Sequence, residues 1–395
     1  MNTNKPIGIN RHSNTKLIFL AAAAATLLLV TGCATAPFPA EDEDLAVLRT
    51  PAGVEFVRTP DSYFENLPDW PYEPEYVDID GLLQAYVDEG TGDSGETILL
   101  LHGQPSWSYL YRKMIPVLVD AGHRVIAMDH LGMGRSDKPV DVDYYTYLNH
   151  TYRLEQFITK LELENITLFV QDWGSLIGLY VVGMNPDWFA RVTVGDGALP
   201  EFGEGEIPYP LPEDEQAARD AVHRNFRLIP AQQPAFYDED GNLRFGASTQ
   251  NEGAFGAWIL YARNDERFRP SVVLEAMTYY PLSREEEAAY DAPFPARIAM
   301  GGPRSFPGLA NTLGGVTEEA WVGLRSYEKP FLTIWASNDP GQLGTQEAQQ
   351  IFIDSVPAAV GQPHTRLPEA SHFLQDDQGE QIAKLMNQFI AKTRE

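Results

Sequence analysis

Cysteine is nearly absent from this chain, with Cys33 the only one among 395 residues. No intramolecular disulfide can form, and no cysteine-based metal cluster can be built. Lysine is also scarce, at 8 of 29 basic residues, and the 56 acids leave a net charge of −27. Such a surface repels phosphate, so nucleic acids and anionic membranes are poor partners. The same acid excess suits salty surroundings. No internal repeat is present, and no pair among the 8 histidines has metal-ligand spacing. Neither a metal nor any other cofactor is therefore expected. A long apolar run is missing too: Leu17 to Val30 is too short to span a bilayer comfortably.

That run comes after Lys5, Arg11 and Lys16 and ends in Val30-Thr31-Gly32-Cys33. A positive start, an apolar middle and a small-residue end define a targeting peptide over residues 1–32. The last four residues resemble the lipobox of bacterial lipoproteins. The resemblance implies cleavage before Cys33, lipidation of that cysteine, and a protein anchored in the cell envelope. Its folded part would lie outside the cytoplasm, on the periplasmic side or at the outer membrane, held by acyl chains without a transmembrane helix. Residues 33–50, with Pro37 and the acidic Glu41-Asp42-Glu43-Asp44, read as a tether.

Beyond the tether the chain alternates between strand-like and helix-like segments. Tyr76 to Asp80 and Leu83 to Asp88 alternate as early strands. Thr97 to Leu101, Arg124 to Asp129, Thr167 to Asp172, Arg191 to Asp196 and Phe331 to Ala336 are apolar runs of the buried parallel kind. Helical patterns such as Tyr109 to Ala121 and Tyr152 to Leu163 lie between them, and Gly379 to Lys392 closes the chain. This is the pattern of an α/β doubly wound, mostly parallel sheet, with its site at the carboxyl ends of the strands. Residues 51–199 and 321–395 supply that core. Residues 200–320 break the rhythm, with proline, glycine, acids and aromatics, and read as an inserted, mainly helical cap. Its aromatics Phe255, Trp258, Tyr261, Tyr279, Tyr280 and Phe294 are candidates to line a dry pocket.

The centre of the pattern is Val170-Gln171-Asp172-Trp173-Gly174-Ser175. A buried strand passes to a small-residue helix within about two residues, which is the geometry of a nucleophile elbow. The apex residue of the commoner elbow is serine. Asp172 is instead already an anion and needs no base before it attacks. An elbow of this kind is succeeded in chain order by an acid and then a histidine. Asp339, in Asn338-Asp339-Pro340-Gly341, comes after the strand Phe331 to Ala336, and His372 lies on the late loop before the final helix. Asp196, at the end of another strand, is a second candidate acid. His102 belongs to a turn, and His123, His130, His150, His223 and His364 read as surface or loop residues.

His102-Gly103-Gln104-Pro105-Ser106-Trp107, Asp129-His130-Leu131-Gly132-Met133-Gly134-Arg135-Ser136-Asp137-Lys138-Pro139 and Gln171-Asp172-Trp173-Gly174 together resemble the haloalkane dehalogenases of the α/β-hydrolase fold. The likeness runs from about Arg49 to the C-terminus. It is closest to the branch that holds the halide between two tryptophans, for which Trp173 and Trp258 are the matches. The resemblance implies hydrolysis of a haloalkane to a primary alcohol and halide through an alkyl ester on Asp172. It also implies water activation by His372 oriented by Asp339, and an oxyanion hole from the backbone N–H groups of Gln104 and Trp173. Gln104 stands where relatives carry Glu or Asn. The expected partners are a small apolar haloalkane and water, and the expected state is a monomer.

Two other readings compete. An epoxide hydrolase shares this machinery but needs proton donors for its alkoxide, for which Tyr261, Tyr279 and Tyr280 are candidates. A non-catalytic, envelope-anchored binding protein on a hydrolase scaffold is the third, since fold alone does not fix function.

Overall fold

The computed structural model describes residues 45–92, 95–228 and 253–394. Residues 1–32, expected to be a targeting peptide, Cys33 and most of the expected tether lie outside that range. Among the described residues no helix is long and apolar enough to cross a membrane.

The apolar runs form one eight-stranded sheet. Its strands are β1 (Glu75–Ile79), β2 (Leu82–Glu89), β3 (Thr97–Leu101), β4 (Arg124–Met128), β5 (Ile166–Asp172), β6 (Phe189–Gly197), β7 (Phe331–Ala336) and β8 (Thr365–Leu367). The spatial order is β1-β2-β4-β3-β5-β6-β7-β8. The hairpin β1–β2 and the β2–β4 pair are antiparallel, and every other pairing is parallel. Parallel strands are covered on both faces, which explains why Ile98–Leu101, Val125–Met128 and Ile166–Val170 are continuously buried instead of alternating. Chain order reverses at β3, whose neighbours are β4 and β5, and that reversal opens a crevice at the carboxyl ends of β3 and β5.

Helices α1 (Ile115–Asp120), α2 (Tyr147–Lys160) and α3 (Trp173–Met184) connect the strands of the first half. The segment Tyr109 to Ala121 is not one helix. It divides into a tight turn at Ser108–Tyr111 and α1, because Pro116 lacks an N–H and is tolerated only in the first turn. Between β6 and β7 come α4 (Glu215–Leu228), α5 (Ala254–Asn264), α6 (Pro270–Met277), α7 (Arg284–Asp291) and α8 (Gly301–Leu309). These helices are the inserted cap. The next helix, α9 (Glu318–Leu324), packs on α3 and so belongs to the core layer. After β7, α10 (Gln346–Ser355) precedes β8, and α11 (Leu374–Thr393) ends the fold. That last helix starts before Gly379, with its first turn set off by non-helical backbone at Gln378.

The tether is shorter than the sequence suggests. Leu48–Arg49 pairs antiparallel with Glu55–Val57, which in turn pairs with Lys138–Pro139 in a small second sheet. Thr50 is buried, and its Oγ1 accepts the backbone N–H of Val54 at 3.1 Å. Buried backbone needs hydrogen-bond partners, and the hairpin supplies them to residues that look like linker.

Candidate active site

Asp172 ends β5 and stands before α3 with φ +47° and ψ −128°, a conformation that costs an L-residue of order 1–3 kcal/mol. Two glycines make room for this bend. A Cβ on Gly174 would lie 2.1 Å from the Leu101 carbonyl oxygen, and one on Gly103 would lie 2.2 Å from Oδ1 of Asp172. The turn after β3 can therefore press its backbone on the carboxylate, and Gln104 N–H donates to Asp172 Oδ1 at 2.7 Å. The other oxygen, Oδ2, lies 3.6 Å from Nε2 of His372.

His372 sits on the loop between β8 and α11, 6 % exposed. Its Nδ1 donates to Oδ2 of Asp339 at 2.8 Å. Asp339, on the loop after β7, also accepts Gly341 N–H on Oδ1 at 2.6 Å, so both of its oxygens are engaged. Burial works against a charged imidazole here. The carboxylates of Asp339 and Asp172 outweigh it and hold the His372 pKa well above its usual value. Asp172, at the end of β5, is thus brought together with His372 and Asp339 from two loops widely separated in sequence. Asp196 lies beside them without bonding the imidazole. Its Oδ1 accepts Ala336 N–H at 2.8 Å.

Above Asp172 lies a cavity of about 430 Å³, walled by apolar side chains of α4, α5 and α6 and floored by Gln104, Asp172, Trp173 and His372. Trp258 and Phe255 line it. Tyr261, Tyr279, Tyr280 and Phe294 do not: Phe294 is fully buried, and Tyr261 gives its hydroxyl to the Arg267 carbonyl at 3.2 Å. Tyr280 donates to Glu369 at 3.0 Å. None of the three candidate tyrosine donors therefore lines the cavity over the Asp172 carboxylate. The ring N–H groups of Trp107, Trp321 and Trp335 are used on the backbone carbonyls of Ala289, Leu199 and Leu343. Those of Trp173 and Trp258 meet no protein acceptor among the described residues, although both rings line the cavity.

The Gln104 side chain reaches toward the cap. Its Nε2 donates to the Pro303 carbonyl of α8 at 2.8 Å, tying the turn after β3 to the cap. On the same helix Phe306 meets Trp173 edge-on at 5.5 Å.

Three features escape the sequence. Gln171, one residue before Asp172, is fully buried and donates through Nε2 to the His372 carbonyl at 3.0 Å. Asp376 and Asp377, in the first turn of α11, anchor the cap to the core. Asp376 accepts from Arg112 at 2.8 Å and Tyr290 at 2.5 Å, and Arg112 reaches Glu286 of α7 at 2.5 Å. Asp377 accepts the backbone N–H groups of Ser371, Tyr279 and Tyr280 at 2.9, 2.8 and 3.0 Å. Acids at the start of a helix are a visible signal, but their partners are not. The histidines require a correction. His123, His130 and His150 are buried rather than surface residues. His130 packs between His102 and His150 with Phe306 of the cap beside it, and burial drives its pKa well down.

The sheet order, the strained aspartate at its switch point and the acid–histidine pair beside it define an α/β hydrolase, and a family profile described as the alpha/beta hydrolase fold matches residues 96–341. Curated relatives narrow the class. A haloalkane dehalogenase of Psychrobacter cryohalolentis is 38% identical over 351 residues, covering 85% of this chain and 98% of that one. One from Mycolicibacterium paratuberculosis is 38% identical over 338 residues, covering 83% and 96%. Among solved structures, the haloalkane dehalogenase DpaA of Paraglaciecola agarilytica, described as tetrameric, aligns with TM-score 0.59 and 31% identity over 84% of this chain and 97% of its own. The chain belongs to the haloalkane dehalogenases. It is a hydrolase of carbon–halide bonds, and the family's route passes through a covalent ester.

Proposed function

We propose that Asp172 is the nucleophile, His372 the base and Asp339 the acid that orients it. The observation that carries this reading is the unequal treatment of the two Asp172 oxygens. Oδ1 is held by Gln104 N–H, which leaves Oδ2 free to attack. In-line attack by Oδ2 on the sp³ carbon forms the ester and expels halide with the bonding pair. The indole N–H groups of Trp173 and Trp258 are donors without a proton to lose, so they solvate the halide as charge develops. The presence of both rings in the cavity lining supports membership of the two-tryptophan branch.

In the second step His372 Nε2 takes a proton from water, and the hydroxide attacks Cγ of the ester. Negative charge gathers on Oδ1, where Gln104 N–H already points, with Trp173 N–H assigned as the second donor. Collapse breaks the bond to the alkyl oxygen, which leaves as the alcohol after protonation. The net release is one halide and one proton. The ester also tunes its own base. Once Asp172 is esterified, one of the two carboxylates that raise the imidazole pKa is gone, and a larger share of His372 stands neutral, the form that can act as the base.

Location and assembly complete the reading. The lipobox-like end of residues 1–32 supports a lipid anchor on Cys33 and an envelope location. Mass analysis of the mature N-terminus tests it, and an unmodified chain starting elsewhere overturns it. The large net negative charge favours a monomer through self-repulsion, which light scattering checks against the tetramer of the relative. Halide release from short chloro- and bromoalkanes, beside a panel of epoxides, tests the activity itself. Turnover of epoxides alone would favour the second reading.

A further inference from the structure

Asp196 is a buried acid for which the proposed mechanism has no use. It is fully enclosed at the end of β6. One of its oxygens, an oxygen of Asp339 and a ring nitrogen of His372 all lie within 4.8 Å of one another. The two acids are treated differently. Asp339 receives an imidazole N–H on one oxygen and a backbone N–H on the other. Asp196 receives Ala336 N–H on Oδ1 and nothing on Oδ2, which is buried without a hydrogen-bond partner.

Two carboxylates this close, away from water, cannot both ionise without a large electrostatic cost. The charged groups that face Asp196 are Asp339, His372 and Arg366. The Arg366 guanidinium is occupied with the carbonyls of Ala336 and Gly344 at 2.7 and 2.5 Å. The Nδ1 proton of the imidazole is committed to Asp339. Asp196 is thus the acid with the fewest donors, and burial together with the Asp339 charge raises its pKa well above the ordinary carboxylate value. An oxygen left unpaired in the core costs about 1–3 kcal/mol when neutral and more when it carries charge, so the protonated acid is the less costly form at this position.

We propose that Asp196 is a positioning residue that stands as a neutral carboxylic acid beside ionised Asp339, so that the pair carries one negative charge and that charge rests on the oxygen bonded to His372. The proposal rests on the assignment of Asp339 and His372 as the acid–base pair. It gives Asp196 the opposite role to an alternative catalytic acid, because a neutral group cannot stabilise the imidazolium by charge. An amide has nearly the same shape and keeps an N–H donor, so Asp196→Asn preserves the arrangement. Asp196→Ala removes it.

The test is infrared difference spectroscopy of the wild type against Asp196→Asn near neutral pH. The expected result is a protonated carboxylic acid C=O stretch in the wild type that Asp196→Asn lacks. Single-turnover kinetics supply the second measurement. Asp196→Asn should hydrolyse the ester at close to the wild-type rate, with the acid limb of its pH profile unmoved. Asp196→Ala should release its halide burst normally yet hydrolyse the ester on the order of tenfold more slowly, because the space it leaves lets Asp339 and His372 shift out of line. No missing carboxylic acid band, or an acid limb displaced to lower pH in Asp196→Asn, would show that Asp196 is charged and overturn the proposal. The band does not depend on turnover. Failure of the wild type to form an ester would instead overturn the catalytic assignment and leave the protonation state measured.

Discussion

Asp172 and His372 face each other across 3.6 Å, Oδ2 to Nε2, beyond hydrogen-bond reach. The nucleophile is therefore not held by its base, and the two steps of the reaction should separate cleanly in variants. His372→Gln is expected to release about one halide per site and then stall, since alkylation uses only the carboxylate. Intact-mass analysis should show an alkyl adduct, mapped to Asp172. A folded variant with neither burst nor adduct would remove the covalent assignment. Asp172→Asn should release no halide.

The timing of the proton is set by the same pair. In the resting enzyme the charges of Asp339 and Asp172 raise the His372 pKa against the effect of burial. Esterification removes one of these charges, so the imidazole pKa falls and its proton leaves with the halide, before hydrolysis. An indicator dye in stopped flow should show proton release tracking the halide burst, and His372→Gln should lose that phase. In steady state, activity should fall on the acid side, where the ester-form imidazole is protonated. Asp339→Asn should move that limb to lower pH, because it deletes a charge that favours the imidazolium.

Trp258→Phe keeps most of the apolar area of the ring and deletes its N–H. Loss of one preorganised donor costs about 3–4 kcal/mol, so halide release should slow on the order of a hundredfold or more with little change in folding. Quenching of tryptophan fluorescence by added halide should weaken in parallel. Unchanged quenching would take Trp258 out of the halide site.

Asp377 joins the cap edge at Tyr279 and Tyr280 to Ser371, the residue before His372. Asp377→Ala strands three backbone donors and should cost roughly 1–3 kcal/mol for each that water cannot reach. Hydrogen exchange should speed at Tyr279, Tyr280 and Ser371 together. Exchange that quickens at only one of them would show that the segments are not coupled through this carboxylate.

The elbow is legible in the sequence because it is a local event: an apolar strand, an acid, and a glycine within two residues. Thr97 to Leu101 and Phe331 to Ala336 are strands with the bounds their apolar runs suggest, for the same reason. The contacts that complete the site are not local. His130 and His150 look polar in sequence, and their burial depends on Phe306, more than a hundred residues away on a cap helix. The partners of Asp376 and Asp377 come from α7, from the loop after α6 and from Arg112, and no periodicity announces such pairings. The start of the fold at Leu48 and Arg49 is equally hidden, because two residues carry no alternation and only their pairing with Glu55 and Phe56 orders them.

The amide of Gln104 gives the cap a part in assembling the reactive centre. Its backbone N–H faces the nucleophile while its side chain grips the carbonyl of Pro303. Substrate scope in such enzymes is an obvious target for exchanging caps between relatives, treating the lid as a module. Here the seam of that module runs through the residue that polarises the ester. A transplanted cap whose α8 sits a fraction of an ångström differently would bind its new substrate and still hydrolyse the ester slowly. Chimeras that keep residues 301–309 native should escape that fault.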